Sequence, residues 1–304
     1  MSYEAQVRDA LSAVAVRSPD AFLWFGRRHE APDLVAALAA RLLADFYACG
    51  AARPQPQPGH VAPGDGGELV RALSQANSGR GSWRSGWQIA GADGDAIAVV
   101  RPDGLALLAP PDDVRGDEVR VPKELRGLSP GFYVALGNAA SPAGERVRLC
   151  WNLAAAGAVT FVARVTYVLN GAGLPFELEL PDDPARFGRR DAAGLLLERA
   201  DFAAAVKLLR PLLRALGPQL SDGAPALTKP LARGLAVAEE PAGGERFGAH
   251  RCRLLAEAIA GAAARGLDSD DERLALARER FAAAGLTLEA PYLQPGSQDA
   301  YELS

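Results

Sequence analysis

Arg146-Val147-Arg148-Leu149-Cys150-Trp151-Asn152-Leu153 sets Val147, Leu149 and Trp151 in alternation with Arg146, Arg148 and Cys150. A period of two is that of a strand with one buried and one open face. Just beyond it the period changes. Val159, Val162, Val165 and Leu169 recur at helical spacing, and Asn170-Gly171 closes the run. Working outward from this junction decides the fold class.

Toward the N-terminus, Trp83 to Ile89, Ala96 to Val100, Leu105 to Leu108, Val119 to Val121 and Phe132 to Leu136 are short runs divided by Gly, Asp and Pro turns. With 146–153 they read as an antiparallel meander. Earlier still, Tyr3, Val7, Leu11 and Val14 predict a helix that Pro19 ends. A second helix begins after Pro32-Asp33, with Leu34, Leu38, Leu42 and Phe46 on one face, and a short one covers Glu68 to Gln75. Toward the C-terminus, strand-like pieces at Pro175 to Leu180 and Ala193 to Leu197 precede a helix from Asp201 to about Leu216. An extended piece at Leu235 to Ala238 and helices at Ala249 to Arg265 and Asp270 to Ala284 complete the chain. This order predicts α+β: N-terminal helices, a central antiparallel β-meander, then mixed strands and helices. The expected organisation is a helical segment over 1–50, a Pro- and Gly-rich loop over 51–67, and an α+β domain over 68–304, all packed as one body.

With 304 residues, 49% of them hydrophobic, the chain can bury a sizeable core. A formal charge of −4 argues against binding nucleic acid or an anionic membrane through bulk charge. The three cysteines (Cys49, Cys150, Cys252) are far apart, so neither disulfides nor zinc are expected, and a cytoplasmic, reducing home is. No basic-then-apolar leader pattern and no run of membrane-spanning length is present. Of 33 basic residues only Lys123, Lys207 and Lys229 are lysines. Chemistry that needs an amine able to lose its proton therefore has few candidates, because arginine stays charged. No metal or cofactor signature appears, and the phosphate-loop, nucleophile-elbow and zinc-protease motifs are missing.

Two segments stand out. In Leu227-Thr228-Lys229-Pro230-Leu231-Ala232-Arg233-Gly234 a lysine sits in a proline-braced loop, four positions before an arginine. In Glu239-Glu240-Pro241-Ala242-Gly243-Gly244-Glu245-Arg246-Phe247-Gly248-Ala249-His250-Arg251-Cys252-Arg253 a Gly-rich turn leads into a helix. Free N–H groups at that helix start, with Arg246, Arg251 and Arg253 near, predict a phosphate site. The plainer readings are a solvated His250, a surface Lys229 and ion pairs from the arginines to Glu239, Glu240 and Glu245.

The second segment and Thr228-Lys229-Pro230-Leu231 resemble the HopA type III effector-like family. So do Asn77-Ser78-Gly79, Trp83, Gly86-Trp87, Gly131-Phe132-Tyr133, Val147 to Leu153, Leu169-Asn170, Pro175-Phe176 and Arg190-Asp191-Ala192-Ala193, in order along the chain. Members occur as plant-pathogen effectors and in actinobacterial pathways to class V lanthipeptides and thioamitides. In those pathways the resemblance implies a lyase that works with an aminoglycoside-phosphotransferase-like kinase. The kinase phosphorylates Ser or Thr of a precursor peptide, and the lyase eliminates phosphate to leave dehydroalanine or dehydrobutyrine. On that reading Lys229 is the first choice of base, with Arg233 lowering its pKa, and Lys123 the second; Lys207 lies on a solvated helix face. His250 protonates the leaving phosphate, and Arg148, Arg190, Arg233 and Arg251 hold its oxygens. Asn77, Trp83, Tyr133, Asn152 and Glu240, within or beside the matched segments, grip the peptide. Two places depart from the family pattern: Arg246 stands where a Ser often precedes Phe-Gly, and the strand after Pro175-Phe176 carries Glu177 and Glu179 where a lysine is common. The alternative is a non-catalytic peptide- or kinase-binding partner. A kinase-like enzyme is disfavoured by the missing Gly-rich and catalytic loops.

Overall fold

The computed structural model describes residues 2–49, 67–102, 104, 106–125, 130–139, 141–142 and 144–303, so all of the expected 51–67 loop but Gly67 lies outside the described residues. The chain opens with α1 (Tyr3–Ser12), β1 (Val14–Ser18), β2 (Ala21–Trp24), β3 (Arg27–Glu30) and α2 (Leu34–Arg41), which runs on into a π-helical turn, Leu42–Tyr47. After α3 (Gly67–Ala76) come β4 (Ser82–Arg84), β5 (Gln88–Asp93), β6 (Ala96–Val100), β7 (Ala106–Ala109), β8 (Val114–Arg115) and β9 (Glu118–Val121). Next are β10 (Glu124–Leu125), β11 (Phe132–Leu136), β12 (Arg146–Trp151), α4 (Ala158–Gly171), β13 (Phe176–Pro181), β14 (Ala193–Glu198) and α5 (Phe202–Ala215). Last are β15 (Lys229–Ala232), β16 (Leu235–Glu239), α6 (Phe247–Ala264) and α7 (Asp270–Ala283). The α+β class is as expected from the sequence.

Two parts of the reading need correction. The first helix stops at Ser12, and β1, β2 and β3 form a three-stranded antiparallel sheet within the segment expected to be helical. Phe25 and Gly26 turn β2 into β3 with both φ angles positive (48° and 77°), a turn whose twist matches the strands. The meander is also divided. β5-β6-β7 and β4-β9-β8 are separate sheets, and only β10, β11 and β12 join the main one.

The main sheet has seven strands in the order β10-β11-β13-β14-β12-β16-β15, with every pair antiparallel. Its register puts Val147, Leu149 and Trp151 on one face with Leu195, Leu197, Leu178 and Val237. Trp151 packs edge-on against Phe161 of α4, with ring centroids 5.1 Å apart, so this is the face of the main core. The opposite face carries Arg146, Arg148 and Cys150 beside Glu177, Glu179, Gly194 and Leu196. At one end of that face Val134 and Leu136 join a second apolar cluster with Trp87, Val99, Val119 and Val121 of the small sheets. At the Cys150 end, Tyr47 and Phe247 of the π-turn and α6 close over it. Between these two covers the sheet stays open. No described helix is long and apolar enough to cross a membrane.

Candidate functional site

The opening is a cleft of about 380 Å³ whose floor is the polar face of the sheet. Arg146 and Arg148 of β12 and Glu177 and Glu179 of β13 rise from the floor, Arg84, Trp87 and Arg101 come from the small-sheet side, and Glu240, Glu245 and Arg246 from the turn before α6. Strand alternation places the floor residues. Because β14 separates β12 from β13, Arg148 and Glu177 share a cross-strand row through Leu196.

Arg148 is the hub. Its Nε donates to Glu240 Oε1, and its Nη1 lies 3.8 Å from Glu179 Oε2. Burial works against the Arg148 charge, but Glu240, by charge and hydrogen bond, and Glu179 outweigh it, so the guanidinium pKa rises above its ordinary value. Gly194 makes room for it, since a Cβ there would stand 2.6 Å from Arg148 Nη1. Arg246, half exposed, donates from Nη1 to Glu179 Oε1 at 2.7 Å. The two departures from the family pattern thus meet each other, and with Arg148 they make an Arg–Glu–Arg arrangement.

Glu245 of the cleft rim is paired with Arg253, whereas Arg84, Arg146 and Glu177 make no ion pair among the described residues. Arg84 has no ion pair among the described residues; its Nη2 donates to Gly137 O and Ala139 O at 3.2 Å each, and Ser141 Oγ takes Nη1. Burial pulls its pKa down, partly offset by the charge of Glu177. The Arg146 and Glu177 side chains make no hydrogen bond or ion pair with the described residues. The indole N–H of Trp87, a residue only 2% exposed, is also without an acceptor among them.

Of the residues given a catalytic, phosphate-holding or peptide-gripping role on the family resemblance, Arg148 and Glu240 line this cleft, together with Arg246 of the expected phosphate site. Lys229 is in an edge strand instead of a loop, and its register with Val237 puts it on the core face, opposite Arg148. Its Nζ donates to Asp299 Oδ2 at 2.6 Å, and Arg233, expected to act on it, pairs with Asp222 at 3.0 Å in the solvent. Arg251 is fully buried, donating Nε to Pro291 O (2.8 Å) and Nη2 to Leu293 O (2.9 Å), while Nη1 meets His250 Nδ1 at 2.6 Å. Burial takes the Arg251 pKa down to about 10, and burial followed by Arg251 holds the His250 imidazole below its usual value. These groups tie α6 to the C-terminal segment. The helix start is no open phosphate site either, because the Phe247 N–H donates to Glu240 Oε2 at 2.7 Å.

Lys123 caps α3, with Nζ donating to Ser74 O (2.8 Å) and Asn77 O (3.1 Å). Asn77 Nδ2 donates to Lys123 O and Tyr133 Oη, and the Tyr133 hydroxyl donates to Glu124, a buried network that joins α3 to the sheet. Arg190 Nη1 donates to Ala224 O and Asn152 Nδ2 to Asp222 O, both bracing the loop before β15. Trp83 lies under Arg115, whose Cζ is 4.1 Å from its ring. Lys207 is exposed on α5, as expected.

A profile of the HopA1 effector protein family matches residues 125–293, the stretch that supplies the cleft floor, Arg246 and α6. The chain belongs to the HopA1 effector protein family. Its fold is that of the effector protein from Pseudomonas syringae pv. tomato strain DC3000, with a TM-score of 0.55 over 97% of each chain at 17% identity. The effector protein from Pseudomonas syringae pv. syringae strain 61 gives a TM-score of 0.48 and 15% identity, over 86% of this chain and 98% of that one. No curated protein sequence matches the chain. Within this family member, the sequence reading passed over Arg84, Trp87, Arg101, Arg146 and Glu177 as site residues. Arg146 and Glu177 were within reach, since each shares the alternation phase of a residue on the open face. Arg84, Trp87 and Arg101 reach the cleft only through the packing of the small sheets.

Proposed function

We propose that the chain is a phosphoserine/phosphothreonine lyase, acting in the cleft on a precursor peptide that a partner kinase has phosphorylated. The observation that carries the reading is Arg146, a floor guanidinium with no partner among the described residues, in a cleft that also holds Arg84, Arg101, Arg148 and Arg246. Such a cluster suits a phosphate dianion. In the elimination a base takes the Cα proton, its electron pair forms the Cα=Cβ bond, and the Cβ–O bond breaks to release phosphate. Glu177, a cleft carboxylate with no ion pair among the described residues, is the base in this scheme; both oxygens of Glu179 already face arginines, Arg148 and Arg246. The arginines, by neutralising the departing phosphate, offset the modest basicity of a carboxylate. Lys229 and Lys123 hold structure.

The test is mass spectrometry of a phosphorylated precursor peptide, leader attached, after incubation with the protein. Loss of phosphoric acid is expected. Glu177→Gln should slow it by about 10²-fold or more, Arg146→Ala by about tenfold or more, and Lys229→Ala should leave it nearly unchanged. Loss that follows Lys229 and ignores Glu177 would remove the cleft from the chemistry. Binding of the phosphopeptide to the cleft without any loss, partner kinase present, would establish the non-catalytic peptide-binding reading.

A further inference from the structure

Beside the cleft lies a second pocket of about 110 Å³, which shares Arg148, Glu179 and Arg246 with it. Its remaining wall is mostly apolar: Leu43 and Tyr47 from the π-turn, Phe132 from β11, and Phe247 and Ala249 from α6. Cys150, Gly194 and Glu179 form its floor, in a single cross-strand row. The neighbouring row, Arg148, Leu196 and Glu177, belongs to the cleft. The two rows are two residues apart along the same strands, which is about 7 Å at the rise of a strand. That spacing is also the distance between alternate side chains of an extended peptide, which point the same way.

We propose that this pocket is a subsite for an aliphatic side chain two residues away from the phosphorylated Ser or Thr, in a peptide lying extended along β12 and β13. The inference rests on the phosphopeptide reading above and adds the class of sequence that is accepted. Size selects the class. A dry cavity of about 150 Å³ takes benzene, so this smaller one suits a Val, Leu or Ile side chain and refuses an aromatic ring. Charge selects it too. Arg189 and Asp191, the charged pair found only in this pocket's lining, are already joined by two bonds of 2.9 Å, so neither offers an unpaired charge to an acidic or basic side chain. The residue between the two anchors points away from the floor and is free to vary.

The experiment is a binding series by fluorescence anisotropy. It uses phosphoserine peptides that carry Leu, Phe, Asp or Gly at each of the four positions one and two residues to either side. Leu is expected to beat Gly by about tenfold or more at one of the two outer positions, with little discrimination at the inner ones. Ala249→Leu, which fills the pocket from a helix, should collapse that Leu-over-Gly ratio toward one. Leu43→Ala, which enlarges it, should move the preference toward Phe. Both variants are first checked for an unaltered unfolding transition, and either alone suffices. A preference at an inner position, or an outer preference that neither variant alters, overturns the subsite and leaves the phosphate reading standing. Equal binding of phosphorylated and unphosphorylated peptides overturns both.

Discussion

Glu240 gives its two carboxylate oxygens to different partners: Oε1 accepts from Arg148 Nε and Oε2 from the Phe247 N–H at the start of α6. Its side chain is only 3% exposed and that of Arg148 only 16%, so removing the carboxylate leaves the cation, where water barely reaches, with only the 3.8 Å contact to Glu179, itself shared with Arg246. Glu240→Ala is expected to destabilise the fold by roughly 3–5 kcal/mol, the cost of a broken buried pair. Arg246, in the same cleft, pairs with Glu179 from a side chain that is 53% exposed. Its loss in Arg246→Ala should cost only about 0.5 kcal/mol. Urea unfolding of the two variants measures the contrast. Equal costs would mean that the Glu240 pair is solvated and that Arg148 is free to leave its place.

At the scale of elements, the C-terminal segment after α7 acts as a clasp. Glu239 of β16 accepts from the Tyr301 hydroxyl and the Gln294 N–H, α6 holds the carbonyls of Pro291 and Leu293 through Arg251, and β15 holds Asp299 through Lys229. Burial raises the Asp299 pKa, but the hydrogen bonds from Lys229 and Tyr292 outweigh it, and the carboxyl stays below its ordinary 3.8. A carboxyl lowered in the folded state adds stability that is whole above its unfolded pKa and fades as pH falls through the folded one. Asp299→Asn should therefore lower the unfolding midpoint by a constant amount from pH 5 to 7, and the gap should close below about pH 3.8. Acid titration of Tm for both proteins tests this.

Elements with internal periodicity were legible in the sequence. The Val159-to-Leu169 spacing gave α4, and the 146–151 alternation gave β12 with its correct open face. The hairpin of β2 and β3 was not, because Phe25-Gly26 carries no Asn-Gly or Asp-Gly signal although both residues take positive φ. Nor was the site around Lys229. A scarce lysine is conspicuous in a sequence, whereas which sheet face it occupies depends on the Val237 register.

Taken whole, the molecule has two apolar clusters of unequal size: the large one beneath the main sheet, and a small one that hinges the β5–β9 region on Val134 and Leu136. β5 is exposed along its entire length, whereas β12 lies inside the main sheet between β14 and β16. Amide hydrogen exchange should release β5 to β7 well before β12 and β14, as a separate cooperative unit. A single exchange rate across both regions would show that the two clusters unfold together. Arg148, seated over Gly194, is a wall of the cleft and of its smaller neighbour at once. Two ligand groups that lean on one side chain cannot bind independently: any settling of the guanidinium between Glu240 and Glu179 that the first brings about is already in place for the second. Their occupancies are thermodynamically linked, and linkage is reciprocal, so a phosphate should tighten the hold on its neighbouring side chain by the same factor as that side chain tightens the hold on the phosphate.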